Sequence, residues 1–571
     1  MPADPISRGA ARLPAAPQQL CDAGQIAHAR GPRPRVMAVS PFVTRRLLRT
    51  IGPAALVAAG VATGAVRASA QYPNVPPPVP CVERGAEWDA SLLEPLPPEH
   101  PPRVAIVPFR SSLSESDSAG TSLVMAYASQ VVERLSPLHP IMLWRPSPEL
   151  DAPETNGIIA LGKANHVPFI VFGRLDAAPH GITLTVRMFE TVHGQLVWNP
   201  VLTGALSDLL GFEEVLVRGI SDHTGAPPAA ATRGAARVSS TISSLAYLHY
   251  LRGVAELASG ARGSAAEANE EFQGAVRLDS AYGAAWAGIA LSTVVQIERE
   301  GVSSQNAVGA ATDVAVSAIR RAVRLAPQSG AVWVARGAVY ELIEPREFTR
   351  ALAAYRKAID VAAWNPDAHR RLGQAMAELG ESGAAYEHYR LALAEDRGDP
   401  ATLTAIGMMH LHARRYHDAC RALNAAVANE PRYSEAYAQR ALVRLHLKDL
   451  RSAYGDAETG VRLGAWLTGS VAQIIADADA RDTASGRQRI ADLSGNWPRG
   501  LAHPSVWVGR YLAEGYVALG KDDRALELLT HATPRGASLW LGLQDPSFDR
   551  LHGLVRYATL VQDSHPVAAG P

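Results

Sequence analysis

The sequence is poor in cysteine and has no net charge, and both shortages limit what the protein can be. Only 3 of its 571 residues are cysteine, which is too few for a disulfide framework. Lys plus Arg and Asp plus Glu number 55 each, so the formal net charge is zero. Because no excess of positive charge would attract phosphate, we do not expect nucleic acid as a partner.

Complete catalytic motifs are also missing, since the sequence has no Gly-x-Ser-x-Gly, His-Glu-x-x-His or Cys-x-x-Cys. A partial phosphate-loop pattern at residues 157–164 lacks the hydroxyl residue that would hold magnesium, so we interpret Lys163 as a solvated helix residue. His410, His412 and His417 are the densest group of potential metal ligands, but two histidines two residues apart on a helix point apart. We therefore predict no catalytic, metal or cofactor site.

The amino-terminal part of the sequence has the pattern of an export signal. Residues 1–36 are rich in Pro, Arg and Gly without periodicity, and we interpret them as a dispensable extension or a misplaced start. Residues 37–70 contain a basic region, an apolar run at 51–66 and a final Ala-Ser-Ala, the order of a secretory signal peptide. The apolar run is 16 residues long, shorter than the roughly 20 that span a bilayer, and an uncleaved anchor is the alternative.

We therefore expect a periplasmic or exported protein without a membrane span, or, in the alternative, one anchored in the inner membrane through residues 51–66. Cleavage after Ala70 would leave Cys81 and Cys420 in the mature chain. We interpret Cys420 as a small buried apolar residue, with a disulfide or a reactive thiol as the alternatives. The Pro-rich residues 71–102 are predicted to form an extended spacer or linker.

Residues 103–222 combine strand and helix patterns. An apolar run bounded by proline predicts a buried strand at 103–109, and helical spacing follows at 118–136. Further strands are predicted at 140–144, 169–173, 182–189 and 195–198, and further helices at 154–166 and 206–220. This order predicts a small mixed α/β domain. Residues 223–240 lack periodicity and predict a flexible linker, across which the two domains can reorient unless they pack together.

Residues 241–541 are organised by a 34-residue repeat, which is clearest from Asp367 to Leu463. Small residues recur at one offset in each unit, as at Gly373 and Gly407. This period is typical of a helix-turn-helix unit that stacks on copies of itself, and a helical array of another period is the alternative. Each unit alone leaves an apolar face in water, so only the stack buries a core.

These residues resemble the tetratricopeptide repeat. The best copy matches that family's pattern at Leu403, Ile406, Gly407, Ala419, Leu423, Ala426 and Pro431. The resemblance implies an all-α superhelical solenoid of about seven repeats, with a degenerate helical stretch at 466–497. Residues 542–571 follow as a carboxyl-terminal segment and tail.

The α/β part is similar to the TolB-like domain that precedes tetratricopeptide repeats in bacterial envelope and signalling proteins. The short sequences that match are residues 104–109, the Gly173-Arg174 pair, residues 187–192 and residues 194–198. Residues 545–551 are similar to the closing segment of such proteins. The resemblance implies a multidomain protein, in which a small mixed α/β (TolB-like) domain precedes the solenoid.

The resemblance also implies a peptide-binding groove along the first helix of each repeat. The family's groove positions fall on Arg370, Arg371, Gln374, Glu378, Thr404, Met408, His412, Gln439, Leu442 and His446. Two adjacent arginines would hold a partner carboxylate by paired hydrogen bonds. Ordinary solvated helix surface is the alternative for each position.

These patterns together favour a non-catalytic, exported adaptor that binds an envelope protein or peptide in the groove of the repeats. The alternative is a regulatory or sensor protein whose α/β domain modulates an envelope enzyme or a membrane signalling system. A third hypothesis is an enzyme with an unrecognised site in the α/β domain.

Overall fold

A computed structural model describes residues 103–111, 118–135, 141–145, 155–178, 180–225, 241–261, 263–300, 305–343, 348–362, 364–495, 506–532 and 540–564. The predicted extension, signal peptide and spacer, residues 1–102, lie outside these residues, as does most of the predicted linker. No helix in the described ranges has both the length and the apolar character needed to cross a bilayer.

A mixed β-sheet comes first along the described chain. Its strands are β1 (Val104–Ile106), β2 (Arg110–Ser111), β3 (Ile141–Trp144), β4 (Phe169–Ala178), β5 (Gly181–Glu190), β6 (Gln195–Trp198), β7 (Val201–Gly204) and β8 (Asp396–Arg397). The order across the sheet is β6-β5-β4-β1-β3-β8, with β2 beside β4 and β7 beside β5. The strands β3, β1 and β4 are parallel, whereas β4, β5 and β6 are antiparallel. Strand β8 comes from the repeats, far along the sequence.

Helices cover both faces of this sheet. They are α1 (Ser118–Leu135), α2 (Thr155–Ala164) and α3 (Leu209–Thr224). Because successive side chains of a strand point to opposite faces, Val104 and Ile106 pack with α1 and α3, and Ala105 packs with Ile158 of α2. Lys163 lies exposed in the last turn of α2, as the sequence predicts for a solvated helix residue.

Eight helix pairs follow in the described residues. They are α4 (Ser244–Ser259) and α5 (Ser264–Leu278), α6 (Gly283–Val295) and α7 (Gln305–Leu325), α8 (Gly330–Ile343) and α9 (Phe348–Val361), α10 (Pro366–Glu378) and α11 (Ser382–Glu395), α12 (Pro400–His412) and α13 (Tyr416–Asn429), α14 (Ser434–His446) and α15 (Leu450–Leu463), α16 (Trp466–Asp479) and α17 (Thr483–Gly495), and α18 (Val506–Ala518) and α19 (Asp522–Ala532). The degenerate stretch at 466–497 forms the seventh of these pairs. The predicted array of helix pairs is confirmed.

The three in-register pairs have a common geometry. Helices α10, α12 and α14 begin 34 residues apart, at Pro366, Pro400 and Ser434. A Cβ atom at Gly407 would lie 2.7 Å from Cγ of Leu423, so only glycine permits this approach of α12 to α13. The small residues of the repeat therefore set the distance between the two helices of a pair.

The array ends in a segment that doubles back over it. Residues 540–551, termed the closing segment, contain two short 3-10 helices, Gly542–Gln544 and Pro546–Leu551. Helix α20 (Val555–Ser564) follows. Leu543, Phe548 and Leu551 are fully buried in the core that α12 to α19 share.

The α/β part and the repeats share a core. Tyr247 and Leu251 of α4 are buried among residues of α1 and α3, and Trp364 packs against the same cluster. The buried carboxylate of Glu213 on α3 accepts hydrogen bonds from Arg134 of α1 and Tyr247 of α4. The α/β part and the repeats are thus packed together in the structure.

Cys420 lies in α13, fully buried, and forms a disulfide bond. Its predicted burial is confirmed, but the preference for an unbridged side chain is wrong. The sequence could not show this, because a bridge depends on how close two cysteines come in the folded chain. The two other cysteines, Cys21 and Cys81, lie outside the described residues.

Candidate peptide-binding groove

The ten predicted groove residues lie on α10, α12 and α14, and are termed the groove face. Five of them are buried: Glu378, Thr404, His412, Gln439 and Leu442. Four are half-buried, namely Arg370, Arg371, Met408 and His446, and Gln374 is exposed. Solvated surface is therefore the right description of Gln374 alone. The five buried residues are shielded from water by the protein's own chain, and the four half-buried ones are partly accessible.

The closing segment covers one part of the groove face. The Leu541 amide donates a hydrogen bond of 3.2 Å to Oε2 of Glu378. Further along, Oδ2 of Asp545 lies 3.4 Å from Nε2 of His412. The ring of Trp540 lies against Gly380, where a Cβ atom would come within 3.0 Å of it. The closing segment thus contacts the groove face through a backbone amide and a carboxylate, and an aromatic ring packs beside it on Gly380.

Helix α18 covers the neighbouring part of the groove face. The Gln439 side-chain amide donates a hydrogen bond of 2.9 Å to the Tyr511 hydroxyl. Arg510 is only 1% exposed, and its Nε donates to Glu514 at 3.0 Å while its Nη2 lies 3.5 Å from Asp545. This buried cation therefore joins α18 to the closing segment.

Three basic residues form an edge beside the groove face. Arg414, Lys448 and Arg481 follow α12, α14 and α16, and are termed the basic edge. All three have left-handed backbone, with φ of 60°, 59° and 64°. Glycine has that conformation at the matching turn after α10, and any other residue there costs about 1 kcal/mol. Both Asp549 oxygens accept hydrogen bonds from Arg414, at 2.6 and 2.7 Å.

Burial changes the protonation of the acids in this region. It raises the pKa of Glu378 to about 8, although Arg510 and the Leu541 amide oppose that change. It likewise raises the pKa of Glu514 to about 8, helped by the charge of Asp545. For Asp545 burial acts in the same direction, but His412 and Arg510 outweigh it and hold the pKa below its usual range. The pKa of Asp545 is thus lowered, whereas those of the two glutamates near it are raised.

Several polar atoms of this region lack a hydrogen bond to any described residue. They are Oγ1 of Thr404, Oε1 of Gln439, Oε2 of Glu514 and both ring nitrogens of His412, whose contact with Asp545 is too long and poorly aligned. Each such buried atom costs about 1–3 kcal/mol relative to a satisfied one. The closing segment therefore fills the groove face without matching all of its polar groups.

The predicted pair of adjacent arginines is engaged within the chain. Nη2 of Arg370 lies 2.6 Å from Asp367, and Nη1 of Arg371 lies 3.7 Å from Glu341. The two guanidinium groups thus form ion pairs with different acidic side chains. Their use together on a partner carboxylate stays a prediction.

The described residues contain no group of three or more His, Cys, Asp or Glu side chains that could hold a metal ion. His410, His412 and His417 accordingly do not form such a group. His369 and His388 do meet, with their Nδ1 atoms 3.1 Å apart, and Glu395 lies 3.7 Å from His369. Burial lowers the pKa of His369 to about 4, so this histidine pair is neutral near pH 7.

A second polar site, which the sequence analysis missed, joins the sheet to the repeats. Arg145 follows β3 and donates two hydrogen bonds of 2.8 Å to the carboxylate of Asp396 in β8. Arg397 donates to Asn165 and lies 5.3 Å from the centre of the Trp144 ring. The two partners of the ion pair are 251 residues apart, so no local pattern points to it.

Comparison with known proteins gives only distant structural likenesses. The sequence matches no family model and no curated protein. The structure is similar to the hetero-tetramer of Cut9 and Hcn1 from APC/C, with 13% identity, a TM-score of 0.39 and coverage of 62% of this chain and 59% of that chain. The protein thus spans about three fifths of the length of that relative.

Two bacterial structures are similar over shorter stretches of this chain. One is pilF of Pseudomonas aeruginosa, with 20% identity, a TM-score of 0.28 and coverage of 42% of this chain and 98% of that chain. The other is a tetratricopeptide repeat protein from Parabacteroides merdae, with 12% identity, a TM-score of 0.30 and coverage of 49% and 98%.

Proposed function

We propose that this protein is a non-catalytic adaptor that binds a protein or peptide partner of the cell envelope on its groove face. One observation carries the proposal: the groove face already holds a peptide segment, the closing segment, by contacts that a partner's segment can also make. Gln374 is the exposed residue of the groove face, so a crosslinking group at this position can reach a partner.

A site-specific crosslinking experiment tests this function. A photoreactive residue in place of Gln374 is compared with one in place of Glu387, an exposed position on the second helix of the same pair. In envelope extracts we expect a discrete adduct from position 374 and none from position 387. Equal labelling at both positions, or none at 374, would contradict the proposal.

We further propose that the protein is exported. The order of basic, apolar and Ala-x-Ala segments in residues 37–70 supports export, and so does the disulfide of Cys420, because disulfides persist in oxidising compartments. Sequencing the amino terminus of the protein from a Gram-negative host tests this. A soluble periplasmic chain that begins at Gln71 agrees with export. A chain that keeps residues 51–66 and fractionates with the inner membrane identifies an anchor instead.

A regulatory or sensor function is the second candidate, and the docking of β3 on β8 favours it. Because a strand of the repeats completes the sheet, a change in the TolB-like part has a direct route to α11 and α12, which flank β8. The variant Arg145→Ala separates the two candidates. In both cases the crosslink from position 374 remains. For an adaptor the activity of the bound partner is unchanged by the variant, whereas for a sensor the control of that activity is lost.

A further inference from the structure

The closing segment makes the groove face an occupied site. We propose that a partner binds there by exchange, with an acidic segment that displaces the closing segment and continues along the basic edge. This inference rests on the proposed function, because it takes the groove face as the place where a partner binds. The contacts of the closing segment indicate the chemistry of the segment that replaces it.

The closing segment shows what the groove face accepts. It presents two carboxylates four residues apart, Asp545 toward His412 and Asp549 toward Arg414. Between them, the ring of Phe548 is fully buried. A partner segment with two acids at this spacing, and an aromatic residue just before the second, would occupy the same positions. Charge complementarity with Arg414 and Arg510 favours an acidic segment over a basic one.

The basic edge extends beyond the part that the closing segment uses. After Asp549 the chain turns away, because Arg550 donates to the Val517 carbonyl and to Asp522. Lys448 has a side chain that is 68% exposed, in contact with Asp479 at 3.1 Å, and Arg481 is exposed. Non-glycine residues persist in left-handed backbone where another gain compensates for the strain. Here the gain comes from the helix ends themselves, because the Asp449 amide donates to the Arg444 carbonyl and the Asp482 amide to the Asp477 carbonyl. A longer acidic segment engages the two basic side chains.

The closing segment is also an incomplete occupant. Thr404, His412 and Gln439 each have a buried polar atom without a hydrogen bond to any residue that the structure describes. Of these three residues His412 faces the closing segment, and a partner segment whose polar group is better aligned with the His412 ring gains a hydrogen bond that Asp545 does not make. The ion pair of Arg414 and Asp549 is half-exposed, so it can open first, whereas release of Phe548 uncovers part of the core until the partner segment replaces it.

The test uses the full chain and a labelled peptide of residues 540–551 lengthened by a glutamate tail. We expect weak binding to the wild type and, because an exposed ion pair is weak, on the order of threefold tighter binding to Asp549→Ala. Asp523→Ala, which removes a fully exposed acid elsewhere, is the control and should bind like the wild type. In the Asp549→Ala background, Lys448→Ala with Arg481→Ala should return binding to the wild-type level.

Hydrogen exchange gives a readout that does not depend on a variant. Saturating the wild type with the peptide should raise exchange in residues 540–551 while exchange in α12 and α14 falls. Unchanged exchange there, or equal binding to wild type and Asp549→Ala, would overturn the exchange mechanism. The crosslink from position 374 distinguishes a failure of this inference from a failure of the proposed function. If the closing segment stays in place but the protein is an adaptor, the wild type still forms its crosslinked adduct.

Discussion

At the scale of single residues, Gly407 sets the spacing of a helix pair. Replacing it with alanine would place a Cβ 2.7 Å from Cγ of Leu423, which is not the flexible end of that side chain. We expect Gly407→Ala to lower the free energy of unfolding by about 1–3 kcal/mol, because helix α12 must move away from α13.

Replacing a second helical glycine, Gly455, should change the stability in the opposite direction. Gly455 lies exposed inside helix α15, and a Cβ there would meet nothing within 4 Å. Gly455→Ala should therefore stabilise the protein by about 0.5–1 kcal/mol, since alanine restricts the unfolded chain. Urea unfolding of both variants decides the point, and a similar sign for the two would contradict the packing argument.

Glu378 gives the stability a dependence on pH. Its pKa is raised from 4.5 to about 8 in the folded state, so the folded protein holds the proton more tightly than the unfolded chain. This contribution is fully present below pH 4.5 and is lost as the pH rises through about 8.

The variant Glu378→Gln isolates this contribution, because the amide stays neutral and can still accept from Leu541. Its unfolding free energy should fall less than that of the wild type between pH 5 and pH 8.5, by an amount on the order of 3 kcal/mol. The exposed Glu381 provides the control, and Glu381→Gln should follow the wild-type curve. Parallel curves for Glu378→Gln and wild type would contradict the assignment.

At the scale of elements, the junction of β3 and β8 depends on one buried ion pair. Arg145→Ala should lower the free energy of unfolding by about 3 kcal/mol, because it leaves the carboxylate of Asp396 buried without its cation. The double variant Arg145→Ala with Asp396→Ala should cost clearly less than the sum of the single changes. Hydrogen exchange should rise in β3 and β8 and stay unchanged in α18. Additive energies would contradict direct pairing.

Local sequence patterns predict the helices and strands of this protein far better than the contacts between elements that are distant in the sequence. The 34-residue register gives the starts of α10, α12 and α14, and apolar runs give strands β1, β3 and β4. Strand β8 has only two residues and no apolar signal, so its pairing could not be predicted. The covering of the groove face could not be predicted for a related reason. Residues 545–551 form a recognisable short sequence, but neither that sequence nor the repeat period shows where the segment folds back.

At the scale of the whole molecule, the repeats depend on the α/β part for burial. A chain beginning at residue 241 would expose Tyr247 and Leu251 of α4, which are buried among residues of α1 and α3, and would remove most of the cluster against which Trp364 packs. Such an apolar patch promotes association. We expect this truncated chain to elute as oligomers in size-exclusion chromatography. Leu251→Gln with Trp364→Gln in the same chain should restore the monomer, and a monomeric unmodified truncation would contradict the shared core.

The order in which the sheet is assembled has a consequence for synthesis. Strand β3 is complete at Trp144, but its neighbour β8 is made only when residue 397 has left the ribosome. Until then β3 presents an unpaired edge, the kind of edge that invites wrong pairing between chains. Contacts so distant in sequence also form slowly. The nascent α/β part must therefore wait for four helix pairs to be translated before its last strand can close.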